Sequence, residues 1–321
     1  MKNRMVNKEM KIVFMGTPEL AAVTLKKLID DGYEIPLVIT QPDRKGNRNK
    51  IIFSPVKLMA LENGIDVEQP VSIRRDESLI KKLHQISPDM IVVAAFGQIL
   101  PESVLEIPPL GCINVHGSLL PELRGASPMQ TAILEGKDKT GVTIMRMDTG
   151  MDTGDMISRV ECDILGKDII EVSDILAEEG ANLLSDTIPS IADGSAVYEK
   201  QDDSKATYAR MINKKDGMTD FSESAIMVER KIRAYLEWPN CYSYLDGKQV
   251  KFYKADVQDT AADGKPGTIT DVEKNSYSVN CGEGKIRIIE QQLQGKKRMS
   301  AGDFMRGYKL SHGDSFEMKE D

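Results

Sequence analysis

Lys11–Ile12–Val13–Phe14–Met15–Gly16–Thr17–Pro18–Glu19–Leu20 sets the reading of the N-terminal half. A short apolar run ends at a glycine, as a buried strand does before a turn. Thr17 then suits a helix cap and Pro18 the first helical position. The helix is expected to reach about Asp31, with Leu20, Ala21, Leu25, Leu28 and Ile29 turned inward and Gly32 closing its end. A second strand follows at Ile35–Thr40.

The alternation continues outward. Strands are expected near Asp66–Glu68, Met90–Phe96 and Cys112–Val115, with helices over about Glu77–Gln85 and Glu102–Leu105 between them. A helix at Pro128–Leu134, strands at Val142–Met147 and Met156–Cys162, and a long helix around Ile169–Ala192 follow. Strands alternating with helices predict the α/β class: a Rossmann-like, mainly parallel sheet with helices on both faces. Gly16 is not followed by the further glycines of a G-x-G-x-x-G fingerprint, which disfavours a dinucleotide-dependent oxidoreductase.

The character changes near residue 193. Asp193–Gly194–Ser195 through Lys205 is polar and reads as a linker. Beyond it come a helix (Ser224–Leu236) and strand-like runs at Val250–Val257, Gly267–Thr270, Ser276–Asn280 and Lys285–Gln291, the pattern of a small β-barrel. The expected organisation is a first domain over 1–192, a linker over 193–206 and a second domain over 207–321.

Net charge is −8, which argues against nonspecific nucleic-acid binding by the whole chain. The charge is uneven, however. Residues 205–321 hold 20 Lys+Arg and 18 Asp+Glu, a balance of +2 that leaves −10 on the remainder. Cys112, Cys162, Cys241 and Cys281 are far apart, with no C-x-x-C pair, so neither a metal knuckle nor a disulfide framework is indicated. Residues 1–9 are polar, lack a signal peptide's apolar stretch and read as a tail or a mis-set start before Met10. A cytoplasmic protein with no membrane partner is expected.

Chemistry concentrates in Cys112–Ile113–Asn114–Val115–His116–Gly117–Ser118–Leu119–Leu120–Pro121–Glu122–Leu123–Arg124–Gly125. Residues two apart on a strand share a face, so Asn114 and His116 project together where the strand runs out. An amide donor beside an imidazole suits an oxyanion and a moving proton. By the same alternation Cys112 shares that face, where it is read as packing. Met147–Asp148–Thr149–Gly150–Met151–Asp152–Thr153–Gly154–Asp155 offers three carboxylates in a loop between strands, for catalysis or for a cation. Gln41–Pro42–Asp43–Arg44–Lys45–Gly46–Asn47–Arg48–Asn49–Lys50 is a basic loop after the second strand, on the side where such sheets bind ligands. It suits a phosphate-bearing substrate.

Taken together, Phe14–Met15–Gly16–Thr17–Pro18, Gln41–Pro42–Asp43–Arg44, Ser54–Pro55–Val56–Lys57, the Asn114-x-His116 run through Pro121, Gly141–Val142–Thr143–Ile144–Met145 and Met151–Asp152–Thr153–Gly154–Asp155 make the chain resemble the methionyl-tRNA formyltransferases over nearly its whole length. The resemblance implies formyl transfer from 10-formyltetrahydrofolate, as cosubstrate and without a metal, to the amino group of methionyl-initiator-tRNA. It implies Asn114, His116 and Asp152 as the catalytic set and Ser118, Leu119, Leu120 and Pro121 as a folate-contacting loop. It also implies Arg48, or alternatively Arg44, as a tRNA contact, an OB-like second domain on the acceptor arm and a monomer. Two departures stand out. The basic loop lacks the family's frequent Arg-Pro-x-Gly-Arg-Gly, and Leu123 replaces a common aromatic residue. The nearest rival is a formyltransferase acting on another amine, a purine-precursor ribonucleotide or an amino sugar nucleotide. A noncatalytic RNA-binding protein is a further rival, and it would not need the three polar groups.

Overall fold

The computed structural model describes residues 10–45 and 51–318. In chain order the first elements are β1 (Lys11–Gly16), α1 (Glu19–Asp30), β2 (Glu34–Ile39), α2 (Pro55–Glu62), β3 (Asp66–Glu68), α3 (Glu77–Ile86), β4 (Met90–Ala94), α4 (Glu102–Leu105) and β5 (Cys112–His116). Then follow α5 (Pro128–Leu134), β6 (Lys139–Arg146), β7 (Met156–Asp163) and α6 (Ile169–Ala192). Seven strands form one sheet in the order β7-β6-β5-β4-β1-β2-β3. Every pair from β5 to β3 is parallel, and only β6 and β7 run antiparallel to their neighbours. The mainly parallel Rossmann-like sheet is therefore present.

Both faces are covered. Val13 and Met15 of β1 cluster with Leu37, Ile91, Val93 and Cys112, and with Leu79 and Leu83 of α3 and Val104 of α4. The intervening residue Phe14 lies on the other face with α1, where a Cβ at Gly16 would meet both Phe14 and Ala21. Lys27 of α1 donates to Ser185 of α6 at 3.1 Å, which puts those two helices side by side. The chain steps from β1 to β2 and β3, then returns to lay β4 on the opposite side of β1. Sheets of this kind take ligands at the carboxyl ends of their strands near such a reversal.

The β1–α1 junction corrects one expectation. Pro18, not Thr17, occupies the cap position, and no side chain caps the helix. Thr17 Oγ1 instead accepts the Gln41 amide at 3.2 Å, tying the junction to the end of β2. At Gly16 an added Cβ would lie 2.7 Å from Ala21 Cβ and 2.8 Å from the Ala94 carbonyl oxygen. Gly16→Ala is therefore expected to destabilise by about 1–3 kcal/mol, as overpacking does. Equilibrium urea unfolding checks this, and an unchanged midpoint would show that the backbone yields there.

By contact the chain divides into two units. One comprises Met1–Pro128, Lys139–Asp163 and Ser173–Arg210, and the other Met129–Asp138, Ile164–Val172 and Met211–Asp321. Residues 193–206, read above as a linker, pack with the first unit. Glu199 exchanges two backbone hydrogen bonds with Met156, both at 2.8 Å.

The second unit contains α7 (Ala225–Ala234), β8 (Cys241–Leu245), β9 (Lys248–Gln258), β10 (Ile269–Thr270), β11 (Tyr277–Asn280), β12 (Lys285–Leu293) and α8 (Ala301–Gly307). Its antiparallel sheet has the order β8-β9-β12-β11-β10. Glu317 bridges to Tyr244 on one edge strand, and Ser315 to Thr268 beside the other. Phe316, between them, enters the core with its ring 5.3 Å from Phe252 and 5.5 Å from Phe221. Burial of that ring draws the sheet edges together into the expected OB-like, partly open barrel. β8 and α8 were not anticipated. The Trp238–Pro239–Asn240 turn ends α7 early and starts a strand whose alternation is blurred, because both Cys241 and Tyr242 are buried.

Candidate functional site

β5 is buried along its whole length, so each side chain must find a place on one face or the other. Val115 points at α6, where a Cβ on Gly180 would approach its Cγ1 to 3.0 Å. Cys112, Asn114 and His116 take the opposite face. Asn114 is 8% and His116 6% exposed. Among the described residues the Asn114 amide has no hydrogen-bond partner. With no internal partner, that amide is free to donate to a ligand. Burial pushes the Cys112 thiol up to about 12, and it packs beneath α4, consistent with its reading as a packing residue.

The loop after His116 folds on itself. Ser118 Oγ donates to the Glu122 carbonyl at 2.6 Å, and Thr143 on β6 donates to the Ser118 carbonyl at 2.7 Å while accepting from the Leu120 amide at 3.1 Å. Leu123 sits in left-handed backbone with φ 57°, and its carbonyl lies 3.2 Å from His116 Nε2. A carbonyl only accepts, so Nε2 carries the proton in that contact and Nδ1 is left to face elsewhere. The Leu123 amide in turn donates to Thr207 Oγ1 at 2.8 Å.

Nδ1 faces Asp152. Oδ1 of Asp152 lies 3.7 Å from it, and Oδ2 accepts the Gly125 amide at 2.8 Å. This approach is not implied by strand register. Arg146, the last residue of β6, pairs with Ile113 near the start of β5, and Met147 bonds back to Cys112. The loop 147–155 must double back along the face to bring Asp152 to the far end of the strand. Asp152 itself has φ 55°. Non-glycine residues seldom adopt that conformation, and it recurs where function holds a side chain in place. Gly125 has φ 115°, and a Cβ there would sit 2.5 Å from the Ala209 carbonyl oxygen, so only glycine lets this amide reach the carboxylate.

The structure therefore brings Asn114, His116 and Asp152 to one place. Of the other two carboxylates of that loop, Asp148 is turned outward, accepting from Gly150 and Thr153. Among the described residues no group of three or more His, Cys, Asp or Glu is placed to hold a metal. In the loop Ser118–Pro121, Ser118 and Leu120 are buried with their polar groups internally paired, while Leu119 and Pro121 keep partial exposure. Arg44 is exposed at the base of the basic loop, in a two-residue strand paired with Ile51–Ile52. Arg48 lies outside the described residues, as does the tail 1–9. Thr143, Thr207, Arg124 and Gln201 support the site and were missed. Only Arg124, the one arginine in the Cys112–Gly125 run, carried a local signal.

A formyl transferase family model matches residues 10–188, and a model of the formyl transferase C-terminal domain matches 211–309. The methionyl-tRNA formyltransferase of Citrifermentans bemidjiense is 46% identical over 306 residues, covering 95% of this chain and 95% of that protein. The chain belongs to the methionyl-tRNA formyltransferases. The family member from Lachnospira eligens is 45% identical over 314 residues, with 95% and 98% covered. Among solved structures, an N-formyltransferase from Helicobacter canadensis in complex with folinic acid and dTDP-3-aminofucose shares the fold. It has a TM-score of 0.67 at 18% identity, covering 88% of this chain and 100% of that one. HypX from Aquifex aeolicus in complex with tetrahydrofolic acid has a TM-score of 0.66 at 16% identity, covering 97% of this chain and 51% of that longer one. No helix among the described residues is long and apolar enough to cross a membrane.

Proposed function

We infer that the chain transfers the formyl group of 10-formyltetrahydrofolate to the α-amine of methionine on its initiator tRNA, for translation initiation, with Asn114, His116 and Asp152 as its catalytic residues. The observation that carries the residue assignment is the pairing of His116 with Asp152 at 3.7 Å beside the unpartnered Asn114 amide. The donor, when bound, supplies a formyl carbon on N10. Amine attack on that carbon develops negative charge on the formyl oxygen. Asn114 Nδ2–H is the neutral donor for that charge, and His116, once it has taken a proton from the attacking nitrogen, adds a second, charged one. The attacking nitrogen must shed a proton, and the neutral imidazole is the group able to take it and to return it to N10 as the bond between N10 and the formyl carbon breaks. Asp152 stabilises the imidazolium whenever it forms, and its own orientation is fixed by the Gly125 amide. Cys112 stays a thiol and takes no part.

The residues present fit the donor. The unpartnered amide answers a carbonyl oxygen, and the partly exposed Leu119 and Pro121 offer apolar edges to a flat ring. Arg44 and Arg48 are assigned to the phosphates of the tRNA acceptor end, the second unit to its acceptor arm, and the enzyme is a cytoplasmic monomer. The test is transfer of labelled formyl from 10-formyltetrahydrofolate to charged initiator tRNA, with charged elongator tRNA and small amines as controls. Equal use of a ribonucleotide or an amino sugar nucleotide would move the assignment to the rival formyltransferases.

The basic loop gives a separate expectation. Arg48→Ala should weaken tRNA binding and reduce the slope of log Kd against log salt by about 0.9, one phosphate contact. Arg44→Ala serves as the comparison. If only Arg44→Ala flattens the slope, the contact belongs to Arg44, and if neither does, the loop does not touch the backbone.

A further inference from the structure

Asp152 is held in left-handed backbone at the end of a loop that doubles back, so something must keep it there. Two hydrogen bonds from one side chain do so. Gln201 Nε2 donates to the Asp152 carbonyl at 2.8 Å and to the Gly154 carbonyl at 2.7 Å. Its Oε1 accepts two N–H groups of Arg124, from Nε at 3.0 Å and Nη2 at 2.8 Å. Arg124 is 2% exposed, among the largest fully buried side chains of the protein, and Nη2 also meets Asp203 at 2.7 Å. Burial opposes its charge, but hydrogen bonds and charges from Asp203 and Tyr208 outweigh this and raise its pKa. The next residue, Gly125, donates its amide to the Asp152 carboxylate. The ring is closed: Arg124 orients Gln201, Gln201 fixes the backbone of Asp152, and the chain returns from the Asp152 carboxylate to Gly125 beside Arg124.

From this geometry we propose that Gln201, oriented by buried Arg124, is the positioning residue that sets the Asp152 carboxylate against His116, so that the segment 199–209 is a working part of the active centre. The proposal rests on the catalytic reading of Asp152 above. The amide is the only side-chain type of that length that fits. Both oxygens of glutamate would accept, so Gln201→Glu keeps the Arg124 bonds but turns an acceptor onto two carbonyls. Releasing the loop by about an ångström is enough to slow chemistry about 10- to 100-fold without changing what binds.

The experiment is steady-state transfer by the full chain, with tRNA and folate KM measured separately, for Gln201→Glu, Asp152→Asn and the double variant. Gln201→Glu is expected to lower kcat about 10- to 100-fold with both KM values within about twofold. The double variant is expected to be no slower than Asp152→Asn alone, because a residue that acts through Asp152 has nothing left to position. Gln201→Met, which keeps bulk but neither hydrogen-bonding arm, replaces Gln201→Glu if the charged variant fails to fold, with the same outcomes expected. A folded Gln201 variant with parent kcat, or losses that multiply in the double variant, would overturn the proposal. Parent kcat in Asp152→Asn would overturn the catalytic reading itself, a result distinct from either.

Discussion

His116→Ala is expected to lower kcat by about 10²- to 10⁴-fold, the range for a removed general acid–base group, while the Kd for charged tRNA stays within about twofold. The imidazole is nearly buried, held by the Leu123 carbonyl on one side and facing Asp152 on the other. Nothing in that arrangement is a surface for a large ligand, so its loss should fall on turnover. Asp152→Asn is expected to behave alike. It preserves shape and the Gly125 contact while removing the charge that steadies an imidazolium, so its kcat should fall with little change in thermal stability. Quenched transfer assays beside tRNA binding by filter retention separate the two quantities. Parallel loss of binding in folded variants would remove both residues from the chemistry and leave them as scaffold.

The second large effect concerns Asn114. Asn114→Ala is expected to lower kcat by about 10²- to 10³-fold, or about 2.7–4 kcal/mol, the range for one lost oxyanion donor. Because the amide has no partner among the described residues, truncation leaves no orphaned group behind, and folding stability should hold. Asn114→Asp is the sharper variant. It is isosteric but directs a carboxylate at the developing charge, so its kcat should fall below that of the alanine variant. Single-turnover rates at saturating substrates check the order. If Asn114→Asp outperforms Asn114→Ala, the side chain works by packing and not as a donor.

Parts of this protein were legible in the chain alone. The alternation of apolar runs with helical segments fixed the parallel sheet, because β1 and β4 are buried on both faces and are almost wholly apolar, and β5 departs from that only at Asn114 and His116. Strand periodicity placed Asn114 and His116 on one face, and glycine, proline and carboxylates marked the loops. Local chemistry was less reliable where neighbours compete, as at Thr17, whose hydroxyl serves Gln41 instead of a helix. The second unit was readable as short strands, but not its closure by Phe316, since one aromatic residue near the end of a chain carries no period.

Sequence alone determined which groups were available for chemistry: an amide and an imidazole two residues apart at a strand end, and a carboxylate in a flexible run. Tertiary structure decided that they meet. β6 register would leave Asp152 at the wrong end of β5, and only the return of its loop, pinned by Gln201 from 49 positions away, delivers it. Thr207 reaches the same centre across 84 positions to hold Leu123 against His116. Local pattern arises from period and propensity, whereas such contacts depend on where packed elements bring distant backbone groups that must be hydrogen-bonded once buried.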